Sequence, residues 1–411
     1  MRLGRLLPCL LLTGIAFLTP AHASPAPLRI GAVFPWQSMG MPAQEEYRGV
    51  QIAANLVNAA GGIDGRRIVL VRREMDSPVQ AMPAMQAFRA QGIAAVVGAF
   101  SSALSIPAGA AAGQEGLVYW EAGAEADRLT GQGYRTVFRV GASGANLGAN
   151  SATFAATQLA SRLHRPASAL RVAVVNADDD YARSVADAAL AVARRSGMHI
   201  VVHSVYSLYA PRWTPIMARL RRVHPDIIIL ASHVADGVAF RRAMLRAHVH
   251  TGALIGSTMA ECGPDFGRML GSEAIGVFAS DRPSPMGGFN PLTLHGSGRA
   301  LYERLVRAGG GMPSEEALSG FSAGWVLFHY VLPRARGLTP RAIAAAARSL
   351  NLAAGTLPNG AGVRFAADRA HLGQNTRATS VIWQWQAVRH SVVVWPAVYA
   401  TGRIRFVPLA R

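Results

Sequence analysis

From Leu28 onward, short runs of β-branched and aliphatic residues alternate with longer stretches in which apolar side chains recur every three or four positions. The run at 28–33, the amphipathic stretch at 44–58 and the run at 68–71 spell strand, helix, strand. An Ala/Met-rich helix at 84–91, a strand at 94–97, a helix at 105–115 and a strand at 117–119 continue the series. Strands joined through helices in this way predict a parallel sheet covered on both faces. A second series opens after Arg139-Val140-Gly141, with a helix over 146–163, a strand at 171–175, a helix at 182–195 and a strand at 200–205. Segments at 214–223, 227–230, 237–247, 254–255 and 276–278 keep the alternation and predict a second doubly wound lobe. The Pro/Gly-rich stretch 283–288 reads as a crossing segment before helices at 296–307, 315–331 and 340–350, and Val381-Ile382-Trp383-Gln384-Trp385 returns to strand.

Length agrees with two lobes, since 411 residues exceed what one hydrophobic core usually serves. With 51% hydrophobic and 16% charged residues, the chain reads as globular rather than disordered. The first 23 residues stand apart: Arg2 and Arg5 precede an apolar run at 6–18, and Ala21-His22-Ala23 offers small residues for a peptidase. That run is shorter than the roughly 20 residues a bilayer span needs, so 1–23 is expected to be a secretory signal peptide leading to the periplasm. Cys9 lies inside it, which leaves Cys262 alone and excludes an internal disulfide or a cysteine metal site.

The formal charge of +18 would suit a nucleic-acid binder, but every basic residue is arginine and none forms a long run. A solvated surface is expected, with no nucleic-acid partner. The histidines are scattered without ligand spacing, and no cofactor or metal is expected. Gly320-Phe321-Ser322-Ala323-Gly324 matches the hydrolase elbow pattern, but that motif needs a strand before its serine and this one lies in a helical run. An enzyme is therefore not expected.

In open parallel sheets ligands bind beyond the carboxyl ends of the strands, so the loops there carry the information. Trp36 follows the first strand. Phe100-Ser101-Ser102 follows Gly98-Ala99 and opens a helix, where hydroxyls and free amide groups suit a carboxylate; the same serines suit a helix cap. Glu121-Ala122-Gly123-Ala124-Glu125 joins small residues, which admit a ligand to the backbone, with acids that could receive a cation; a solvated loop is the alternative. In the second series Asp178-Asp179-Asp180-Tyr181 opens a helix, where the aspartates suit caps and Tyr181 could offer its ring and hydroxyl. His233, and Met259 within Ser257-Thr258-Met259-Ala260-Glu261, occupy equivalent positions after their strands.

Taken together the chain resembles the Leu/Ile/Val-binding protein family of the type I periplasmic-binding fold. The resemblance rests on Asn58-Ala59-Ala60-Gly61-Gly62-Ile63-Asp64-Gly65, on Val97-Gly98 with Ser101-Ser102 and Pro107-Ala108, and on Leu129-Thr130 with Gly133-Tyr134 and Phe138-Arg139. It implies an α/β fold of two doubly wound parallel-sheet lobes joined by three crossover segments, near 139–142, 280–285 and 363–368. The lobes would be 24–140 plus 283–363 and 141–282 plus 364–411. It implies a periplasmic binding component of an ABC importer, acting as a monomer with permease subunits as partners, or else a periplasmic ligand sensor signalling to a receptor or kinase. Ser102 and Tyr181 match family ligand positions. The family's small and hydroxyl residues after the fourth strand are replaced by Gly123 and Glu125. The position of its ammonium-binding acid falls near Thr258 or Met259, where no acid stands. A small polar ligand, such as an amide, a urea-like compound or a modified amino acid, is therefore expected in place of leucine, with Glu121, Glu125 or Glu261 as alternative receivers of a cation.

Overall fold

The computed structural model describes residues 25–257, 264–294 and 296–409. The expected signal peptide and Met259, with Thr258 and Glu261, lie outside these residues.

The first lobe is built on five parallel strands in the order β2-β1-β3-β4-β5: β1 (Leu28–Phe34), β2 (Ile68–Glu74), β3 (Ala95–Gly98), β4 (Val118–Glu121) and β5 (Val137–Arg139). The second carries β6 (Arg171–Ala177), β7 (His199–Tyr206), β8 (Ile227–Ala231), β9 (Ala253–Ser257), β10 (Phe278–Asp281), β11 (Val381–Ala387) and β12 (His390–Trp395). Their order is β12-β11-β10-β9-β8-β6-β7, and only the β10–β11 and β11–β12 pairs are antiparallel. Central strands such as β8 are buried at every residue, as a sheet covered on both faces demands, whereas edge strand β7 is partly exposed. The alternation read from the sequence holds, with β5 and β12 as additions. Both were hidden: β5 is only three residues long, and β12 is half of a hairpin in a region where helices had set the period.

Each lobe is closed by one glycine-mediated helix pair. In the first, helix Met41–Ala59 lies so close to helix Glu315–Trp325 that a Cβ on Gly49 would overlap the Ala317 carbonyl oxygen, and one on Gly320 the Glu46 carbonyl. In the second, Gly148 of helix Gly144–Phe154 meets the Val185 carbonyl of helix Asp180–Arg195 in the same way. Ser322, in the first of these pairs, donates its hydroxyl to Leu318 O at 2.7 Å, so its buried side chain is spent within the helix.

Three segments join the lobes. The first leaves β5 at Arg139, whose backbone N–H donates to Gly373 O and whose C=O accepts from the Asn375 N–H, both at 3.0 Å. Asn375 also donates its side-chain amide to Val140 O and Gly362 O, which ties this crossing to the third. After β10 the chain stays on the second sheet, with Gly287 and Phe289 against Trp383, and enters the first core only with Leu301 and Leu305 of helix Ser297–Gly309. Residues 373–375 still run beside β5 before the chain returns to β11. Both returns thus lie later in the chain than the expected boundaries at 283 and 364.

Candidate functional site

The carboxyl ends of the two sheets face each other across a cleft of about 670 Å³, within the range of small-molecule sites. Phe100, Ser101, Ser102, Gly123, Glu125, Tyr181 and His233 all line it. Trp36 does not. Its ring packs against Phe34 and Tyr47 beneath the Arg72 guanidinium, 4.2 Å from the ring centre, because the chain after β1 folds back onto helix Met41–Ala59.

On the first lobe, β3 ends in Gly98, at φ 142°, where a Cβ would overlap the Val33 carbonyl oxygen; only glycine fits. Phe100 then takes φ 73°, an uncommon conformation for a bulky residue and one that concentrates at binding loops. Ser101 and Ser102 part company here. Ser102 Oγ accepts the Ala126 N–H at 3.0 Å and so braces the neighbouring loop. Ser101 occupies the N-cap position of helix Ser102–Gln114 but makes no side-chain capping bond, which leaves its hydroxyl for the cleft. The cap expected of both serines is made by neither.

The loop after β4 is held from within. Glu121 Oε1 accepts the N–H groups of Ala122, Gly123 and Ala124 at 3.0, 2.9 and 2.9 Å, and its Oε2 accepts the Tyr119 hydroxyl. Glu121 is therefore a structural carboxylate and not a receiver of a ligand cation. The loop's carbonyls are also engaged: Gly123 O by Arg282, Ala124 O by Arg139, and Glu125 O by the Gly144 N–H. Its Asp127 N–H donates to Ser184 Oγ of the second lobe.

Glu125 is 5% exposed, and its Oε1 lies 3.3 Å from Arg282 Nε without hydrogen-bond geometry. Burial pushes its carboxyl up to about 8; Arg282 pulls it down, and Glu315 raises it further. Arg282 reaches Glu315 Oε1 at 2.6 Å, and its backbone N–H donates to Asp281 Oδ1. One guanidinium thus lies within 4 Å of three buried carboxyl groups, and burial, with Asp281 adding repulsion, holds Glu315 well above the carboxylate range.

The second-lobe wall is made by residues following β6 and β8. Tyr181 turns its hydroxyl to Ser257 O at 2.9 Å, so only its ring faces the cleft, set against His233 at 5.3 Å. His233 Nε2 lies 2.6 Å from Asp179 Oδ2. Burial opposes the imidazolium, but the Asp179 carboxylate outweighs it and the His233 pKa is raised; in turn burial opposes the Asp179 charge and His233 more than offsets it, so Asp179 is lowered. Asp180 pairs across the lobes with Arg128 at 3.2 Å.

Arg282, Arg128, Met39 and Tyr209 also line the cleft and were not singled out in the sequence. Arg282 carried one usable signal: it directly follows Asp281 at the carboxyl end of a strand. Among the described residues no cluster of side chains suits a metal ion.

The periplasmic binding protein family model matches residues 27–383. The chain belongs to the periplasmic binding protein family. This periplasmic binding protein is 28% identical over 410 residues to Leu/Ile/Val-binding protein homolog 8 of Brucella suis biovar 1, covering 99% of this chain and 100% of the relative. It is 25% identical to homolog 7 of Brucella melitensis biotype 1, covering 95% and 96%. A Desulfitobacterium hafniense ABC transporter substrate-binding protein solved with Leu superposes with a TM-score of 0.71 at 23% identity, over 89% of this chain and 99% of that one. An R. palustris ABC transporter solute-binding protein solved with benzoate gives 0.70 at 16% identity, over 92% and 98%. The fold is the type I arrangement the sequence resemblance implied.

Proposed function

We propose that this chain is the capture subunit of an ABC importer, binding a small polar ligand, such as an amino acid, amide or urea-like compound, between its lobes in the periplasm. The observation that carries this reading is the cleft itself, lined from both lobes by residues at strand carboxyl ends. Closure about the crossings would trap the ligand, and a ligand that prefers the closed state shifts the population towards it. Permease subunits that distinguish closed from open would be the partners, and a monomer is sufficient because both walls come from one chain. The names of the Brucella relatives and the Leu bound to the Desulfitobacterium protein favour an amino acid; benzoate in the R. palustris protein extends the range to carboxylates.

The test is a thermal-shift screen of the mature protein against amino acids, amides, ureas and small carboxylates. A ligand at 100 times its Kd should stabilise by about 2.7 kcal/mol. A hit abolished by Ser101→Ala or Tyr181→Ala supports the cleft as its site. A panel in which nothing shifts the melting transition, or a hit indifferent to both changes, overturns the reading.

A further inference from the structure

The loop after β4 forms part of the first-lobe wall, yet its backbone has little left for a ligand. The amides of 122–124 go to Glu121, that of Ala126 to Ser102 and that of Asp127 to Ser184. The carbonyls of Gly123, Ala124 and Glu125 go to Arg282, Arg139 and Gly144. The carboxyl group of Glu125 lines the cleft, and its buried Oε1, 3.3 Å from Arg282 Nε, has no hydrogen-bond partner among the described residues.

The charges around Glu125 come from every neighbouring element. Its own loop and β5 bring Glu121, Asp127, Arg128 and Arg139; the crossing brings Asp281 and Arg282; helix Met41–Ala59 brings Glu46; and helix Glu315–Trp325 brings Glu315 and Glu316. The opposite wall carries Asp178, Asp179, Asp180, Arg183 and His233. Most are spoken for: Asp179 by His233, Asp180 by Arg128, Glu121 by the loop amides, and Arg139 by Asp127 at 3.8 Å and by Gln374. Arg282 lies within 4 Å of Glu125, Glu315 and Asp281 together, and Arg139 acts on Glu125 from farther off. Three buried carboxyl groups set around one guanidinium are not all held ionised by it.

We propose that Glu125 receives the cationic end of the ligand by exchange, holding a proton in the empty cleft and releasing it to solvent as an ammonium or amidinium group docks. The inference rests on the cleft being the ligand site. The balance at Glu125 is one for one: Glu125 loses its proton to solvent, the ligand's cationic group becomes the counter-ion of the new carboxylate, and that pair carries the same summed charge as the protonated acid it replaces. This selects amines, zwitterionic or cationic, over neutral amides and plain carboxylates. A cation brings the second positive charge that Arg282 alone cannot supply; a carboxylate would add a further negative one.

The test is isothermal titration calorimetry at neutral pH in two buffers of different ionisation heat, with L-leucine, L-arginine, putrescine, acetamide and benzoate as probes. An amine should bind and release about one proton per protein, seen as a buffer-dependent heat. Glu125→Gln should bind that amine about tenfold more weakly or worse and release none. The proton count in the unaltered protein decides the matter even where that variant folds poorly. Amine binding with equal heats in both buffers, or binding by acetamide or benzoate alone, overturns the exchange and leaves the cleft reading standing. Failure of every probe to bind counts against the cleft as an amine, amide or carboxylate site, and the exchange falls with it.

Discussion

Glu46 lies directly beneath Gly123: a Cβ at residue 123 would overlap Glu46 Oε2. Glu46 is fully buried and neither of its carboxyl oxygens has a hydrogen-bond partner among the described residues. Burial, with Glu121 adding repulsion, holds its pKa well above the ordinary range. The folded state therefore binds a proton that the unfolded chain has lost, and stability must fall as pH rises above the carboxylate range of about 4.3. Urea melts across that range should show the decline, and Glu46→Gln should flatten it without loss of stability at neutral pH. A steeper decline in the variant would contradict this account.

Gly123→Ala places a methyl group where that carboxyl now sits. The expected cost is about 1–3 kcal/mol, the range for overpacking a buried site. Glu46→Ala in the same chain should recover part of it, and a double-mutant cycle in urea measures the coupling. Additive losses would mean that the two residues do not meet.

Ser101→Ala and Ser102→Ala separate binding from support. Loss of the Ser102 hydroxyl leaves the Ala126 N–H without its acceptor, at a cost of about 1 kcal/mol in stability. Loss of the Ser101 hydroxyl should change stability by less than about 0.5 kcal/mol and show its effect on ligand affinity. Chemical denaturation beside ligand titration checks both, and the reverse assignment would refute it.

The His233–Asp179 pair gives a second pH signature. The raised His233 pKa contributes stability that is fully present below about 6.5 and is lost as pH rises through the folded value. The lowered Asp179 pKa contributes stability present above about 3.9 and lost as pH falls further. His233→Gln should reduce the decline above about pH 6.5 by the share His233 contributes, leaving that of the buried carboxyl groups, as read from melting temperature against pH. An unchanged profile would show that the pair does not couple to folding.

At Gly148, alanine would force apart the two helices that close the second lobe, at about 1–3 kcal/mol. Differential scanning calorimetry checks it, and a variant as stable as the parent would show that the helices can separate freely.

The two-lobed alternation was legible because burial on both faces leaves strands such as β8 with no polar residue at all, while helices such as Trp213–Val223 keep an arginine-bearing outer face. The cleft loops were legible as loops, since they follow strand ends. The duties of individual side chains within them were not. Nothing in the order Glu121-Ala122-Gly123-Ala124-Glu125 distinguishes the acid that binds backbone amides from the acid that lines the cleft; that follows from which carboxyl folds back at the strand end. Trp36 was misplaced for a similar reason, because an aromatic residue after a strand serves a cleft or a core equally well until the chain's return path is known. Arg282 reaches Glu125 and Glu315, both distant in sequence, which no local pattern encodes.

The closed hydrogen-bond economy of residues 121–125 also constrains how such a protein can change its diet. A loop that met its ligand through peptide groups would need a new backbone path to accept a new solute. This one keeps most of its main chain occupied and turns the Glu125 carboxyl to the cleft, so under the exchange proposed above one codon at residue 125 would alter the preferred charge of the cargo while the scaffold beneath it stays in place.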